Sequence, residues 1–440
     1  MFTIGTFLLR LAALILVLGA SSTADAQGPE RGARLASVFA GGTVPSGLGV
    51  NIHFTDGHRA DLLRIHAMGF RVVRMDMIWE LVERQRGTYD WSHYDALVND
   101  LRTAKLTPLL ILDYANPIYV PGLAASSSKP SPAYAALLAG APRAGFLRFV
   151  HAAAARYGRN VVWEIWNEPD LNFGQPIDTD GYVGLAMESC RRIRSTVPDA
   201  RVIGPAASNF AALPLLRRFV AADRARCFDA ISVHPYRNGP PESVLQDWAS
   251  LFGLAECANQ PSCPALVSSE WGYAVTSGAA TAERQANYVT RVYLLNLLAG
   301  VPLSVVYDWQ NDGTDPDDKE ANFGVIDHSG VVKSAGLALG RLVQQLAGLA
   351  PLGRVETPDP NVFVVAFGAG RTVRKLAGWT SDGAAVEVSL PARACIDPPQ
   401  YTHRDGACSP NGPTLPDAVH MRLSGSVLVV ANRIHRRLGL

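Results

Sequence analysis

The chain has 440 residues, which is long enough for one large domain and a second, smaller one. Its 40 basic and 39 acidic side chains nearly cancel, so the formal net charge is only +1. This balance provides no electrostatic attraction to nucleic acid or to an anionic membrane surface, and we expect neither as a partner.

The first 26 residues have the pattern of a secretory signal peptide. Arg10 precedes an apolar core from Leu11 to Leu18, and the small residues of A-D-A, ending at Ala26, suit a cleavage site. The apolar stretch falls short of the ~20 residues that a transmembrane helix needs, which favours a cleaved signal over an uncleaved anchor. We therefore predict an exported protein, periplasmic or secreted, that is not held in a membrane.

Six cysteines are compatible with disulfides in an oxidising compartment, although sequence alone does not fix their pairing. Nearness along the chain favours Cys190–Cys227, Cys257–Cys263 and Cys395–Cys408. The cysteines and histidines do not have the spacing of a zinc site, so we expect no metal and no cofactor.

From residue 48 to about residue 345, short apolar stretches of strand type alternate with amphipathic stretches of helix type. The predicted strands are Gly49–Phe54, Val72–Met77, Pro108–Asp113, Val162–Glu168, Val202–Pro205, Ala230–Tyr236, Ala265–Trp271 and Ser304–Gln310. The predicted helices include Asp61–Met68, Tyr94–Ala104, Gly145–Tyr157, Val183–Thr196, Leu213–Ala222 and Ala282–Leu298. Eight strands, each followed by a helical stretch, predict an α/β fold, the (β/α)8 TIM barrel.

A doubly wound open sheet is the competing arrangement. It would call for a Gly-rich phosphate-binding turn after the first strand, and the H-F-T-D-G sequence of residues 53–57 is not one. The barrel is therefore favoured.

One connection in the predicted barrel, from Asn116 to Ala144, is longer than a barrel loop requires and is rich in Pro, Ser and Ala. Loops on this face of a barrel often carry binding functions, which suggests a wall or lid of the cleft. A surface excursion without such a role is the alternative.

The pattern changes after Gln345. The predicted strands there are Asn361–Phe367, Thr372–Trp379, Ala385–Leu390, Met421–Leu423 and Val427–Val430, with turn signals between them. These strands are too few for a second barrel, so we predict a small β-sandwich over residues 346–440 that packs on the barrel. Residues 27–47 are candidates to pack on this sandwich.

Two of the predicted strands end in a carboxylate. In V-V-W-E-I-W-N-E-P-D (residues 161–170), Asn167 and Glu168 end the fourth strand, and Pro169 is expected to stop it. In S-S-E-W-G, Glu270 ends the seventh strand. The carboxyl ends of barrel strands form the face where chemistry occurs, so we expect the two carboxylates to converge there. Two facing carboxylates suit the cleavage of a glycosidic bond.

W-N-E-P followed about 100 residues later by S-E-W-G resembles the retaining glycoside hydrolases of clan A. N-I-H-F-T-D (51–56), R-M-D (74–76), E-R-Q-R-G-T-Y-D (83–90) and I-L-D-Y-A-N-P (111–117) make the chain most similar to glycoside hydrolase family 39, over the barrel and the C-terminal module. The resemblance implies a retaining enzyme with Glu168 as general acid and base and Glu270 as nucleophile.

Within that family, the likeness is to members that cleave bacterial exopolysaccharides internally. We therefore expect a polysaccharide or oligosaccharide substrate and a monomeric protein. An exo-acting β-xylosidase is the alternative among enzymes, and a carbohydrate-binding protein that has lost catalysis is the alternative outside them.

Other residues at the predicted strand ends suit such a site chemically. The donors of Arg74 can hold Glu270 ionised and oriented, although an ion pair with Asp76 is the alternative. Asn167 can bind a sugar 2-hydroxyl, and the hydroxyl of Tyr236 can orient the nucleophile. The other candidates for substrate binding or support are Asp76, Asp113, Tyr114, Asn116, His234 (alternatively a core histidine) and Trp309, whose ring would be an apolar platform for a sugar.

Several neighbouring residues are given no role. Trp166 is expected in the core, and Glu164 is expected to face away from the site. Asp308 and Asp312 are equally compatible with substrate contacts and with a polar loop. The acidic run from Asp312 to Glu320 lacks EF-hand spacing and predicts a solvated loop, not a calcium site.

Overall fold

The computed structural model describes residues 42–120, 122–123, 134–171, 177–224, 226–254, 264–277, 281–397, 399 and 413–431. These residues form a closed barrel of parallel strands and two antiparallel sheets. Within the described ranges, none of the helices combines the length and the apolar character that a membrane span requires.

The barrel has eight strands, which pair in chain order, and the last pairs back to the first. They are β1 (Leu48–Asn51), β2 (Val72–Ile78), β3 (Thr107–Asp113), β4 (Val162–Ile165), β5 (Arg201–Ala207), β6 (Ala230–Val233), β7 (Ala265–Trp271) and β8 (Ser304–Val306). Apolar side chains that point inward, including Val72, Leu109, Val162 and Val267, fill the lumen as one core cluster. The predicted TIM barrel is confirmed.

Helices connect the strands of the barrel. They are α1 (Arg59–Ala67), α2 (Trp79–Val82), α3 (Ser92–Thr103), α4 (Gly140–Tyr157), α5 (Thr179–Thr196), α6 (Leu213–Ala222), α7 (Val244–Leu254), α8 (Ala282–Leu298) and α9 (Ser334–Leu346), with 3-10 turns at Tyr134–Leu137, Gly158–Asn160, Pro241–Ser243 and Glu320–Asn322. Helix α5 begins four residues before the predicted Val183, because the Asp178 side chain caps it by accepting from the Gly181 N–H at 2.8 Å.

The first, fourth, sixth and eighth predicted strands are too long at their carboxyl ends, since the observed strands end at Asn51, Ile165, Val233 and Val306. In the fourth strand, Trp166 has a φ of 68°, which is the left-handed region, so the ladder ends before it reaches Pro169. The expectation that Pro169 stops this strand is therefore wrong. The polar residues that follow these strands lie in loops at the barrel mouth.

Two antiparallel sheets follow α9. Their strands are β9 (Ala350–Val355), β10 (Val362–Ala369), β11 (Thr372–Thr380), β12 (Val386–Leu390), β13 (Ile396–Asp397), β14 (Val419–Leu423) and β15 (Leu428–Ala431). One sheet has the order β13-β9-β10-β11-β15, and the other pairs β12 with β14. Val364 and Leu376 of the first sheet share a core cluster with Leu390 and Met421 of the second, as in a sandwich. Strands β9 and β13 were not predicted.

The sandwich packs on the barrel around α8. The rings of Phe363 and Trp379 belong to the main core cluster of the barrel. Arg291 of α8 donates to the carbonyl oxygens of Thr380 at 2.6 Å and of Gly425 at 2.7 Å. The packing of the C-terminal module on the barrel is thus both apolar and polar.

The segment before β1 approaches the start of the sandwich. Val44 accepts from the Gly348 N–H and donates to the Leu349 carbonyl, both at 2.9 Å, between α9 and β9. Residues 27–41, the greater part of the predicted N-terminal segment, lie outside the described residues.

The predicted disulfide Cys190–Cys227 is confirmed, and it joins α5 to the segment before β6. Cys395 is also disulfide-bonded. The other two predicted pairs involve Cys257, Cys263 and Cys408, which lie outside the described residues.

Candidate active site

A cavity of about 760 Å³ lies at the carboxyl ends of the barrel strands. Its lining is Asn51, His53, Arg74, Asp76, Tyr114, Asn167, Glu168, Leu171, Ser208, Asn209, Tyr236, Glu270, Tyr307, Lys319, Glu320 and Phe323. Both carboxylates singled out in the sequence line this cleft. So do five of the nine supporting candidates, Arg74, Asp76, Tyr114, Asn167 and Tyr236.

An irregularity in β7 turns Glu270 toward the cleft. Ser268 pairs with Ser304 of β8, and Trp271 pairs with Val306. Between these two pairs β7 has one residue more than β8. Val267 points into the lumen, and strict alternation would therefore turn Glu270 outward. The extra residue in β7 reverses this orientation, which is a known use of a β-bulge beside a functional site.

Both carboxylate oxygens of Glu270 accept a hydrogen bond. Oε2 accepts from Nη1 of Arg74 and Oε1 accepts from the hydroxyl of Tyr236, each at 2.7 Å. Burial and the charge of Glu270 raise the pKa of Tyr236 well above its usual value, so its hydroxyl remains a donor. The two contacts fix the orientation of the Glu270 carboxylate.

Arg74 is almost fully buried and uses all three of its nitrogens. Besides Glu270, it donates from Nε to Glu164 at 2.7 Å, from Nη1 to Asn51 at 3.1 Å and from Nη2 to Asn167 at 2.8 Å. Burial alone would lower its pKa, but the charges of Glu164 and Glu270 outweigh burial and raise it. Its ion-pair partners are these two glutamates and not Asp76, the alternative considered from the sequence.

The expectation that Glu164 faces away from the site is wrong. Side chains alternate along a strand with a period of two, so Glu164 points into the lumen as Val162 does. It is fully buried, and Arg74 holds its pKa below the usual value although burial alone would raise it. Glu164 therefore supplies a second negative charge beneath the cleft and anchors Arg74.

Glu168 reaches the cleft through a turn and not along a strand. Its φ is 45°, and its backbone N–H donates to the carbonyl of Ala206 at 3.1 Å, which ties the turn to β5. Asp170 secures the same loop, because its Oδ1 accepts from the N–H of Ser208 at 2.9 Å. The Glu168 carboxyl group is thus positioned by backbone contacts with the neighbouring strand.

The imidazole of His234, which is fully buried, lies against Glu168, with Nδ1 2.9 Å from Oε1. Its Nε2 is 3.4 Å from Nη2 of Arg74, which can only donate. In neutral His234 the proton is therefore on Nδ1 and is donated to Oε1 of Glu168. Burial alone would lower the pKa of His234, but the charge of Glu270 and the hydrogen bond with Glu168 raise it.

The two carboxyl groups face each other at close range. One carboxylate oxygen of Glu168 and one of Glu270 lie within 4.8 Å of each other. Carboxyl groups stand about 5–5.5 Å apart in glycosidases that form a covalent intermediate and about 6.5–9.5 Å apart in those that place a water between them. The separation observed here matches the first arrangement.

Comparison with known proteins gives the fold. The sequence matches no protein-family model and no curated protein sequence. A family 39 glycoside hydrolase from the gut symbiont Bacteroides cellulosilyticus WH2 superposes with a TM-score of 0.69 at 24% identity, over 88% of this chain and 81% of that one. The chain has the fold of the family 39 glycoside hydrolases.

Two further solved structures share this architecture. A family 39 β-xylosidase from Caulobacter crescentus has a TM-score of 0.59 at 19% identity, over 89% of this chain and 97% of that one. A family 30 endoxylanase from Clostridium papyrosolvens C71 has a TM-score of 0.57 at 14% identity, over 88% and 97% of the two chains.

Asp76 and Tyr114 line the cleft, whereas Asp113 lies fully buried beneath it. Burial and the nearby charge of Asp76 raise the pKa of Asp113 well above its usual value. Among the described residues, neither carboxyl oxygen of Asp113 has a hydrogen-bond partner. Asp113 therefore lies beneath the site and does not line it.

Asn116 and Trp309 lie outside the cleft. The Asn116 amide donates to the carbonyl of Glu83 at 2.8 Å and accepts from the N–H of Ile118 at 3.0 Å, so it braces a loop. The side chain of Trp309 is only 1% exposed and packs in the core. A ring buried this deeply cannot be the predicted platform for a sugar. Trp166, also 1% exposed, is in the core as expected.

Several residues of the cleft were not assigned to it from the sequence. His53 lies two residues after β1 and Tyr307 lies directly after β8, and a polar or aromatic residue soon after a buried barrel strand is a usable signal. Lys319, Glu320 and Phe323 come from the long loop after β8, where sequence carries no comparable signal. Part of the predicted lid loop, residue 121 and residues 124–133, lies outside the described residues.

A second cavity, of about 1180 Å³, opens at the other end of the barrel, near the starts of β3 and β5. Its arginines are partly neutralised by aspartates, as in the pairs Arg156–Asp95 and Arg159–Asp199. Its lining has no facing pair of glutamates. The chemistry described above therefore belongs to the cleft at the carboxyl ends.

Proposed function

We propose that this protein is an exported retaining glycoside hydrolase that cleaves its substrate by double displacement. The observation that carries the proposal is the close approach of Glu168 and Glu270, whose carboxylate oxygens lie within 4.8 Å of each other. Their different partners support different roles. Glu270 receives donors on both oxygens, whereas Glu168 contacts His234 through Oε1.

In the first step, Glu168 donates its proton to the glycosidic oxygen while a carboxylate oxygen of Glu270 attacks the anomeric carbon. The bond from the anomeric carbon to the leaving oxygen breaks, and a bond to Glu270 forms with inversion. Asn167, held at Oδ1 by Arg74, can donate from its amide nitrogen to the sugar 2-hydroxyl, a contact that strengthens in the transition state.

In the second step, the Glu168 carboxylate accepts a proton from a water molecule. The oxygen of this water attacks the anomeric carbon from the face that the leaving group vacated, and Glu270 departs as a carboxylate. Two inversions restore the starting configuration, and Glu168 regains the proton that it gave away.

We further propose that cleavage is internal and that the substrate is a bacterial exopolysaccharide. The support is sequence resemblance: the N-I-H-F-T-D, R-M-D, E-R-Q-R-G-T-Y-D and I-L-D-Y-A-N-P stretches are most similar to those of PslG, the endoglycosidase of the Psl exopolysaccharide system. The predicted signal peptide supports an extracytoplasmic site of action.

An exo-acting β-xylosidase is the second candidate. It is favoured by one observation, the structural likeness to a family 39 β-xylosidase from Caulobacter crescentus. Product size separates the two activities, because internal cleavage of a polysaccharide releases oligosaccharides and exo cleavage releases monosaccharides. Chromatography of the earliest products from an exopolysaccharide and from xylan would decide between them.

Trapping of the covalent intermediate tests the mechanism. We expect 2,4-dinitrophenyl 2-deoxy-2-fluoro glycosides, tried as a panel of β-xyloside, β-glucoside, β-galactoside and β-mannoside, to inactivate the protein and label Glu270, as read by mass spectrometry of peptides. Glu270→Gln should not be labelled. Glu168→Gln should still be labelled, since dinitrophenolate leaves without protonation. A label on any other residue would refute the nucleophile assignment.

Turnover provides the second test. Glu168→Gln and Glu270→Gln should each lower kcat on a natural polysaccharide by about 10²–10⁴-fold or more, because each removes a group that acts in the transition state. Circular dichroism should show that both variants are folded. Near-normal turnover by either variant would refute the assignment.

A further inference from the structure

We propose that His53, Asp308 and Asp312 form a binding site for a divalent transition-metal ion, Zn²⁺ being the best match, at the edge of the cleft. This site is separate from the carboxylate pair and does not depend on the proposed hydrolase activity. Two of its three residues come from loops that follow β8, and the third follows β1, the strand that pairs with β8.

The three side chains converge on one point. Nδ1 of His53 lies 2.8 Å from Oδ1 of Asp312 and 3.6 Å from Oδ2 of Asp308. The three potential ligand atoms all lie within 4.8 Å of one another. An ion with metal–ligand bonds of about 2.0–2.2 Å can contact three atoms spaced in this way after small side-chain adjustments.

Asp308 provides an independent indication of a ligand. The residue is 2% exposed, and its Oδ1 has no hydrogen-bond partner among the described residues. Its other oxygen faces His53, so the carboxylate is directed into the cluster. A buried carboxylate oxygen without a partner is energetically costly, and a bound cation would remove that cost.

The ligand set indicates the class of metal. One imidazole and two carboxylates suit Zn²⁺ or Mn²⁺, whereas Ca²⁺ and Mg²⁺ prefer oxygen ligands alone. The side chains of His53 and Asp312 are 35% and 44% exposed, which gives an ion a path from solvent. Three protein ligands would leave a position open toward the cleft, which His53 lines.

The cationic side chain of Lys333 does not occupy this position. Lys333 influences Asp308 electrostatically, but its Nζ donates to Oδ1 of Asn311 and to the carbonyl of Asn322, each at 3.1 Å. Burial lowers the pKa of Lys333 to about 8, which reduces its opposition to a second cation.

A second trio, Glu168, His234 and Glu270, also meets the distance criterion for a cation. There the guanidinium of Arg74 lies 2.7 Å from Glu270 and 3.4 Å from His234. A fixed positive charge at this distance opposes a metal ion. The cluster at His53 has no arginine in comparable contact within the described residues, so it is the better site.

Isothermal titration calorimetry with ZnCl₂ tests the proposal. The protein is full-length and free of tags, and it is treated with EDTA and desalted before the titration. We expect one ion per chain in this cluster. Asp312→Asn, a change at an exposed residue, should weaken binding by at least about tenfold. Asp315→Asn, an exposed change in the same loop, is the matched control and should leave the Kd unchanged.

Cobalt gives a second readout, since Co²⁺ bound by His53 should show visible absorption bands that His53→Gln removes. Three results would overturn the proposal. They are the absence of Zn²⁺ binding, binding that Asp312→Asn leaves intact, and binding that is lost in Glu168→Gln instead. Circular dichroism and thermal melting confirm that each variant is folded before it is titrated.

Discussion

At the residue scale, the polar contacts beneath the cleft converge on Arg74. Its planar guanidinium reaches Glu164, Glu270 and Asn167 in three directions at 2.7–2.8 Å. A lysine could not reproduce this, because its ammonium is a single point at the end of a flexible stem. One residue thus fixes the orientation of the nucleophile candidate and of the amide beside the acid candidate.

Tyr236→Phe tests how much the hydrogen bond from the Tyr236 hydroxyl to Glu270 contributes to catalysis. The change removes a 2.7 Å hydrogen bond to a carboxylate and leaves the ring in place. A hydrogen bond to a charged group contributes about 1.5–3 kcal/mol, so kcat/KM should fall by roughly 10- to 150-fold. Steady-state kinetics on the aryl glycoside that the wild-type protein cleaves best would measure this.

Tyr273→Phe is the matched control for that variant. Its hydroxyl donates to the carbonyl of Gly239 at 3.1 Å, away from both carboxylates. Its kcat/KM should stay within about twofold of the wild-type value. Equal losses in the two variants would show that Tyr236 acts through general packing and not through Glu270.

His53 should make stability depend on pH. Its hydrogen bond to Asp312 and the surrounding charges outweigh burial and raise its pKa from the usual 6.5 to about 9 in the folded protein. The stability that it contributes is therefore fully present below pH 6.5 and is lost as the pH rises through about 9. The free energy of unfolding of metal-free protein should fall over this window, and it should fall less in His53→Gln.

Urea unfolding in EDTA at several pH values would measure this difference. The His53 side chain is 35% exposed, so solvent screening makes the effect smaller than the shift alone implies. His151→Gln is the control, because His151 contacts the hydroxyl of Thr196 and not a carboxylate. The prediction would be contradicted if the free energy of unfolding changed with pH in the same way in the wild-type protein and in His53→Gln.

At the element scale, the carboxylates are placed where regular strand geometry fails. Strand β4 ends at Ile165, and the backbone of the next residue, Trp166, has a left-handed conformation. The turn that follows carries Glu168, whose φ is 45°. The pairing of β7 with β8 shifts by one residue between Ser268 and Trp271, and this shift directs the Glu270 side chain into the cleft. Departures from regular backbone are energetically costly and persist where the surrounding structure enforces them, which is frequent at functional sites.

Gly272 sets the close approach of the chains after β7 and β8. A Cβ at this position would lie 1.9 Å from the carbonyl oxygen of Tyr307, which is part of the backbone and cannot move aside cheaply. Gly272→Ala should therefore lower the free energy of unfolding by about 1–3 kcal/mol or more. It should also lower activity, because the displaced segment follows Glu270. Urea unfolding and kinetics measure the two effects.

Gly184→Ala serves as the comparison. Gly184 lies within α5, and a Cβ there would meet nothing within 4 Å. Alanine in a helix interior is favoured over glycine by up to about 1 kcal/mol, so this variant should be as stable as wild type or slightly more stable. A Gly272→Ala protein of wild-type stability would refute the close-approach argument.

At the scale of the whole molecule, the barrel and the sandwich share a core. Phe363 and Trp379 of the sandwich belong to the main core cluster, and the nearly buried Arg291 joins α8 to the carbonyls of Thr380 and Gly425. Modules that share core side chains and buried hydrogen bonds should not unfold independently. We therefore expect a single calorimetric transition.

Differential scanning calorimetry checks this expectation. Arg291→Met removes the donors and leaves Glu242, 3.3 Å from the guanidinium, without its cation. The variant should unfold at a lower temperature, since breaking a buried pair costs about 3–5 kcal/mol. Two separate transitions in the wild-type protein would show that the modules are energetically independent.

Local sequence patterns were enough to predict the architecture and the carboxylate pair. Alternation of apolar strands with amphipathic helices is a local pattern, and it predicted the eight barrel strands and the later change to β structure. The same local information placed Glu168 and Glu270 after the fourth and seventh strands, because a polar residue that follows a buried strand is visible in the sequence.

Which side chains contact each other could not be predicted in this way, because it depends on the three-dimensional packing of the chain. The direction of Glu164, the burial of Trp309 and the bulge before Glu270 depend on register and packing, which local pattern does not encode. Likewise His53 and Asp312, 259 positions apart, meet because closure of the barrel pairs β1 with β8. Closure of the barrel brings residues that are distant in the sequence to the same side of the cleft, and a periodic pattern of residues along the chain cannot predict such a contact.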